Sequence, residues 1–136
     1  MAEVQSIIPK DVTILNVRQG EAKGLAHAIS CAMPIVGKNP FAILLPDVII
    51  DENRSDLEND NLAAMIKRFE STGASQIMVE TVPHDHVSSY GIVDIGGISL
   101  NPGENAKIKS IVEKPDIKNA PSDYAVVGRY VLPAEI

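Results

Sequence analysis

Short apolar stretches and segments with one apolar face alternate along the first half of the chain. Residues 12–17 are apolar and β-branched, which predicts a strand. Apolar residues then recur at helical spacing, and Pro34 and Gly37 are expected to end the helix that they predict. Those residues are Leu25, Ala28, Ile29 and Ala32. Residues 41–45 are apolar throughout, which predicts a strand covered on both faces.

A second helix and a third strand continue this alternation. Asp60 is placed to cap a helix that Gly73 is expected to end, and its apolar positions again follow helical spacing. Those positions are Leu62, Met65, Ile66 and Phe69. Residues 76–82 predict the next strand, so the first half has the order β-α-β-α-β.

The second half of the chain is mostly β in pattern. Residues 91–95 and 98–100 flank Gly96-Gly97, which predicts a hairpin, and residues 108–112 and 125–132 predict further strands. Alternating strands and helices favour an α/β fold, a three-layer sandwich with a mixed, mainly parallel sheet. The hairpin is then an antiparallel excursion from that sheet.

Composition narrows the class of protein. A chain of 136 residues with 45% apolar and 22% charged residues suits one globular domain and excludes a disordered chain, a collagen-like repeat or a coiled coil. A net charge of −6, 4% aromatic residues and no Trp argue against nucleic acid or an anionic membrane as partner. With no apolar stretch of membrane-spanning length, no signal-peptide pattern and a lone Cys31, we expect a cytoplasmic protein.

Ligands of open α/β sheets bind beyond the carboxyl ends of the strands, and three groups of residues fall there. The first is the loop from Gln19 to Gly24, before the first helix. Its glycines allow close approach of a flat ligand, and the Gln19 amide suits the edge of a nucleobase. An ordinary glycine-containing loop is the alternative, and the spacing alone favours it.

The other two groups carry charge. Asp47 directly follows an apolar strand, where a carboxylate can bind Mg²⁺ on nucleotide phosphates or simply close a turn. Glu113 and Lys114 end a later strand; they suit sugar hydroxyls and a phosphate, or form a surface ion pair. Asp51 and Glu52 are interpreted as solvated charges.

The remaining histidines and the cysteine offer weaker signals. His84 and His86 flank Asp85, but no further His or Cys accompanies them, so the ligand count falls short of a metal site. His27 lies just off the apolar stripe of its helix and is interpreted as structural. Cys31 has no evident base partner, which disfavours a nucleophilic thiol.

Read in order, these segments resemble the bacterial UTP–glucose-1-phosphate uridylyltransferases over nearly the whole chain. The resemblance is carried by RQGEAKGLAHA at residues 18–28, LLPDV at 44–48, YGIV at 90–93, VEKP at 112–115 and VGRYVL at 127–132, with similar segments at 60–69 and 75–80. It implies a Rossmann-like nucleotidyltransferase fold. It also implies the reaction of UTP with glucose 1-phosphate to UDP-glucose and pyrophosphate, and is compatible with a homo-oligomer for the full-length protein.

Site residues follow from this resemblance position by position. Gln19 and Gly24 would contact the uracil, Asp47 would bind Mg²⁺, Gly91 and Glu113 would hold the glucose, and Lys114 would meet the sugar phosphate. Asp47 and Lys114 would thus be the catalytic pair, working by positioning and charge neutralisation.

The sequence departs from that family at three places. Ala26 replaces the usual glycine of the uracil loop. The Gly-rich G-x-G-T-R-x-x-P motif, which holds the triphosphate in the family, is absent, as are a downstream metal-binding Asp and a closing helical region. Residues 1–136 are therefore interpreted as a partial domain. A related thymidylyl- or cytidylyltransferase, or a non-catalytic module that binds sugar nucleotides or regulates, stays open as an alternative.

Overall fold

The computed structural model describes residues 9–135, which belong to two compact units divided after Gly37. In the first unit, the predicted helix is confirmed as α1, Leu25–Val36. Pro34 lies inside it and does not end it, because a proline in the last turn removes only one backbone hydrogen bond. Gly37 ends the helix with positive φ, and its N–H donates to Met33 O.

The prediction of a strand at residues 12–17 is wrong. This segment has no regular structure, and its apolar side chains are exposed, Leu15 by 61% and Ile14 by 58%. A strand is stabilised by the ladder with its neighbour, and no described strand pairs with these residues.

The second unit is built on a five-stranded sheet. Its strands are β1 (Phe41–Leu44), β2 (Gln76–Thr81), β3 (Gly91–Asp94), β4 (Ser110–Glu113) and β5 (Tyr124–Leu132). β5 is central: β2 follows one side of it, while β1 and β3 lie one after the other along the opposite side, and β4 extends the sheet beyond β3.

Every described pairing is antiparallel, which corrects the mainly parallel sheet expected from the sequence. β1, β2 and β3 do run in one direction, as an α/β alternation predicts. They nevertheless bond to β5, which runs the opposite way, and not to each other. The mixture of helices and strands agrees with the α/β class expected from the sequence.

The prediction of a hairpin around Gly96-Gly97 is also wrong. β3 pairs with β4, and residues 95–109 form the long connection between them. Both glycines have positive φ, but residues 98–100 leave the sheet, and the Leu100 N–H donates to the Tyr124 hydroxyl at 2.8 Å. That bond gives the segment a partner other than β3.

The second helix, α2 (Asn61–Thr72), packs against β2 and β5. Gly73 ends it in the left-handed region and donates to Phe69 O at 2.7 Å, as predicted. Asp60 occupies the N-cap position, but its carboxylate accepts from the Asp56 N–H and does not cap the helix. Among residues 9–135, neither helix is long and apolar enough to cross a lipid bilayer.

The core of the sheet lies beside a 3₁₀ helix, His84–Ser89. Val87 of this helix, Ile92 of β3 and Ala125 of β5 are fully buried there. β1 is less covered than predicted: its residues alternate in burial, and Leu44 is 53% exposed. Further 3₁₀ turns lie at Glu52–Arg54 and Ile117–Asn119. The well-packed part of the unit is therefore the β3–β5 region, next to the candidate site.

Candidate functional site

Gln19 and Gly24 are in direct contact at the start of α1. Gly24 is the N-cap residue with φ +87°, a left-handed conformation that favours glycine, and a Cβ there would meet nothing within 4 Å. Gln19 Nε2 lies 3.1 Å from Gly24 O and 2.9 Å from His27 Nδ1. The loop thus offers an open backbone surface beside an amide that is already held in place.

Asp47 is exposed in the turn that follows β1. β5 holds this turn at two points: Leu45 N–H donates to Gly128 O at 2.9 Å, and Arg129 Nη2 donates to Val48 O at 3.2 Å. Arg129 is 8% exposed, and its Nη1 has no partner among the described residues. The Asp47 carboxylate is therefore presented to solvent from a turn anchored on both sides.

Gly128 makes this anchoring feasible. It has φ +69°, and a Cβ at this position would lie 2.9 Å from two carbons of the Leu45 side chain. The β2–β5 register also shifts here, between Ile77 and Val79, so β5 carries an irregularity at this point. A β-bulge with a glycine in the left-handed region re-aims a strand locally, and here it admits the chain that leads to Asp47.

Gly91 and Glu113 face each other across β3 and β4. A Cβ on Gly91 would lie 3.1 Å from Glu113 Oε2, so the carboxylate rests directly over the glycine. Lys114 follows with φ +46°, and its N–H donates to Tyr90 O at 2.9 Å. The side chains of Glu113 and Lys114 are both exposed, which leaves a carboxylate and an ammonium available beside a surface without a side chain.

Tyr130 lies near enough to Glu113 to be affected by its charge, although the sequence analysis gave this residue no role. Burial raises the pKa of its phenol above the ordinary value, and the nearby Glu113 carboxylate raises it further. Tyr130 lies opposite Ile43 of β1 and Ile77 of β2. An aromatic side chain in a strand is more often core than site, so no sequence signal singled it out.

Asp47 and the Gly91–Glu113 corner converge on one stretch of β5. β1 ends opposite Arg129, and β3 begins where a Gly91 Cβ would touch Val126 at 4.0 Å. The two strands share one side of β5, so the end of β1 and the start of β3 meet around Gly128. Gln19 and Gly24 belong to the other unit, so their membership in the same ligand site, which the resemblance implies, stays a prediction.

Several of the weaker candidates have partners within the protein. His84 Nδ1 lies 2.6 Å from Asp123 Oδ1, an exposed ion pair when the ring is protonated. Within residues 9–135 no three His, Cys, Asp or Glu side chains cluster as a metal site. Asp51 Oδ1 accepts from the Asn53 N–H in a local turn. Cys31 does have a neighbouring base, because its Sγ lies 4.0 Å from His27 Nε2, a contact the sequence reasoning missed.

Comparison with known proteins places this geometry in a family. The nucleotidyl transferase family model matches residues 2–136. The chain is 62% identical over 136 residues to a UTP–glucose-1-phosphate uridylyltransferase of Haemophilus influenzae, covering 100% of this chain and 46% of the relative. It therefore spans about half the length of that relative.

Solved structures agree with the sequence match. UTP-bound UGPase from Acinetobacter baumannii superposes with a TM-score of 0.87 at 46% identity, over 98% of this chain and 46% of that one. A UDP-glucose pyrophosphorylase complexed with UDP-glucose gives a TM-score of 0.71 at 34% identity, over 86% of this chain and 42% of that one. The chain belongs to the nucleotidyl transferase family.

Proposed function

We propose that this chain carries the base- and sugar-binding part of an enzyme that transfers a uridylyl group from UTP to glucose 1-phosphate, giving UDP-glucose and pyrophosphate. The observation that carries the proposal is the corner where the Glu113 carboxylate rests over Gly91 and beside Lys114. A carboxylate accepts hydrogen bonds from sugar hydroxyls, and a glycine leaves room for the ring. The names of the relatives and the UTP and UDP-glucose in the related structures support the same substrates.

Each of the candidate residues is proposed to contact one part of the substrates. Gln19 and Gly24 contact the uracil, Gly91 and Glu113 hold the glucose, and Lys114 neutralises the sugar phosphate. A phosphate oxygen of glucose 1-phosphate attacks the α-phosphorus of UTP, and the bond to pyrophosphate breaks. Catalysis then consists of holding the two reactants in line and offsetting their charge.

Asp47 is the residue that fits Mg²⁺. Its exposed carboxylate supplies the hard oxygen ligand that this ion prefers, and Mg²⁺ commonly takes only one or two carboxylates together with phosphates. When bound, the ion neutralises charge on the triphosphate. A cytoplasmic setting is part of the proposal, since the lone Cys31 cannot form an internal disulfide.

The test is a full-length chimera in which this chain replaces the matching segment of the Haemophilus influenzae relative. Assayed for pyrophosphate release with UTP, glucose 1-phosphate and Mg²⁺, the chimera should turn over, whereas the chain alone should not, since it lacks the Gly-rich phosphate motif. Activity with dTTP or CTP, and none with UTP, would show that the enzyme uses thymine or cytosine nucleotides and not uracil nucleotides. Binding of UDP-glucose without turnover of any nucleotide would favour a non-catalytic module.

Asp47→Asn in the chimera is expected to lower kcat by about 100-fold, because it removes a charge that acts on the phosphates. The melting temperature should stay unchanged, since the side chain is exposed. Asp51→Asn is the matched control, an acidic residue held in its own turn nearby in sequence. Equal rates for the two variants at saturating Mg²⁺ would remove Asp47 from the metal role.

A further inference from the structure

The Gln19 carboxamide faces two groups that together decide which way round it sits. Its Nε2 lies 3.1 Å from Gly24 O and 2.9 Å from His27 Nδ1. A backbone carbonyl oxygen only accepts hydrogen bonds, so the atom facing it must be the amide nitrogen. That nitrogen carries two hydrogens, and the second is directed at His27.

The same geometry assigns the tautomer of His27. Nδ1 faces a donor and therefore accepts, which places the ring proton on Nε2. Nε2 faces Cys31 Sγ at 4.0 Å, and sulfur is a weak acceptor at such a distance. Both amide hydrogens of Gln19 are then used inside the protein, while neither contact uses its oxygen.

We propose that His27 is a positioning residue that, together with the Gly24 carbonyl, holds the Gln19 amide with its oxygen offered to the base, and so strengthens the selection of uracil over cytosine. This inference rests on the proposed contact between Gln19 and the nucleobase. It gives His27 a part in specificity, although the sequence pattern alone indicated a structural residue.

The selection follows from hydrogen-bond chemistry at N3 of the pyrimidine. Uracil carries a hydrogen at N3 and donates to an oxygen, whereas N3 of cytosine has only a lone pair. A freely rotating carboxamide would serve either base by turning over. A locked one leaves cytosine facing a second acceptor, and thymine, with its own N3 hydrogen, is treated like uracil.

A matched pair of substitutions separates the lock from the fold. His27→Asn keeps an oxygen close to the position of Nδ1, whereas His27→Leu has a similar size and no acceptor. Leu is the better helix former, so damage to α1 would affect Asn more than Leu.

In the full-length chimera, His27→Leu is expected to lower the ratio of kcat/KM for UTP over CTP by about three- to tenfold, the value of one hydrogen bond. The change should appear in KM for UTP, with kcat nearly unaltered, while His27→Asn keeps the wild-type ratio. A wild-type ratio in His27→Leu, or an equal loss in both variants, would overturn the inference.

Gln19→Ala distinguishes this inference from the function on which it rests. If Gln19→Ala removes the preference for UTP and His27→Leu does not, the base contact stands and the lock fails. If Gln19→Ala changes neither KM for UTP nor the ratio, both the base contact and the lock are wrong.

A measurement independent of activity uses the 136-residue chain itself. Two-bond ¹H–¹⁵N correlation spectra of the histidines, assigned with His27→Asn, should show a bare Nδ1 and a protonated Nε2 for His27 at neutral pH. Gln19→Ala removes the donor that faces Nδ1, so His27 should then show a mixture of the two tautomers. A proton on Nδ1 in the unmodified chain would contradict the lock directly.

Discussion

At the residue scale, the phenol of Tyr130 senses both its burial and the charge of Glu113, which raise its pKa above the ordinary 10.0. The native state thus favours the neutral phenol. Its contribution to stability is complete below pH 10.0 and is lost as the pH rises through the raised pKa. Tyr130→Phe should therefore reduce the alkaline loss of stability.

Spectrophotometric titration of the tyrosines tests the second cause. Glu113→Gln should lower the pKa of Tyr130, because it removes the negative charge that opposes ionisation of the phenol. The pKa should stay above its ordinary value, since burial is the larger cause and remains. Subtracting the titration curve of Tyr130→Phe identifies the signal of Tyr130. If the Tyr130 signal of Glu113→Gln is identical to that of the unmodified chain, the Glu113 charge does not act on the phenol.

Gly91→Ala is expected to disturb the site more than the fold. The added Cβ would lie 3.1 Å from Glu113 Oε2, so the exposed carboxylate must shift by a few tenths of an ångström. We expect KM for glucose 1-phosphate in the chimera to rise by about tenfold, because the proposed contacts to the sugar hydroxyls depend on the position of that carboxylate.

The melting temperature of Gly91→Ala should change little, since Gly91 does not need a left-handed backbone. Gly20→Ala, with nothing within 4 Å of its added Cβ, is the control for stability. Unfolding of Gly91→Ala well below this control would mean that Gly91 serves packing and not the sugar.

At the scale of elements, the joint between β5 and the β1 turn should be the most sensitive backbone position. Gly128→Ala combines a left-handed backbone with a Cβ 2.9 Å from Leu45, whereas Gly73→Ala adds a Cβ to open space at a similar φ. The strained backbone alone costs about 1–2 kcal/mol, and overpacking adds about 1–3 kcal/mol.

Urea denaturation of the two variants measures this difference. Gly128→Ala should lose more free energy of unfolding than Gly73→Ala, and the excess is the packing of Leu45 against β5. Equal losses of unfolding free energy in the two variants would show that Leu45 moves aside without a packing penalty.

The sequence predicted single elements better than it predicted their partners. α1 and α2 follow helical periodicity that one segment contains by itself, so their bounds come out within a few residues. Strand pairing depends on segments far apart: residues 98–100 have the pattern of a strand, yet β3 pairs with Ser110–Glu113. Residues 12–17 have strand character too, but no described strand bonds to them.

Prediction of the candidate site had a similar limit. Asp47 and Glu113 were predicted because each stands at a strand end, and Gly91 because the family resemblance implied it; their roles stay predictions. Tyr130 and Arg129 lie in the VGRYVL segment that carries the resemblance, but their roles were missed because their contacts join segments far apart in the chain. His27 was noticed, but its bond to Gln19 joins residues eight positions apart across a loop.

At the scale of the second unit, β4 is an open edge of the described sheet. All four of its residues are exposed, Ile111 by 48%, and its outer side bonds to no described strand. Unprotected edges favour pairing between molecules. The isolated chain should therefore associate as its concentration rises, in spite of its net charge of −6.

Sedimentation velocity with two lysine substitutions tests this edge. Ile111→Lys should suppress the association, because a charge on an edge strand opposes pairing. Ile49→Lys makes the same change of charge at a loop residue that is 91% exposed. Equal suppression by both substitutions would assign the effect to net charge and not to β4.

β5 also sets the spacing between the proposed metal ligand and the proposed sugar contacts. β1 and β3 attach to it end to end, on either side of Gly128. One residue added or removed between their attachment points would move the Asp47 turn relative to Gly91 by about 3.3 Å and turn the following side chains to the opposite face. The number of β5 residues between the two attachment points thus sets the distance between the proposed metal ligand and the proposed sugar contacts. In the chimera, an insertion or deletion there should abolish the proposed uridylyl transfer, whereas a single substitution should only weaken it.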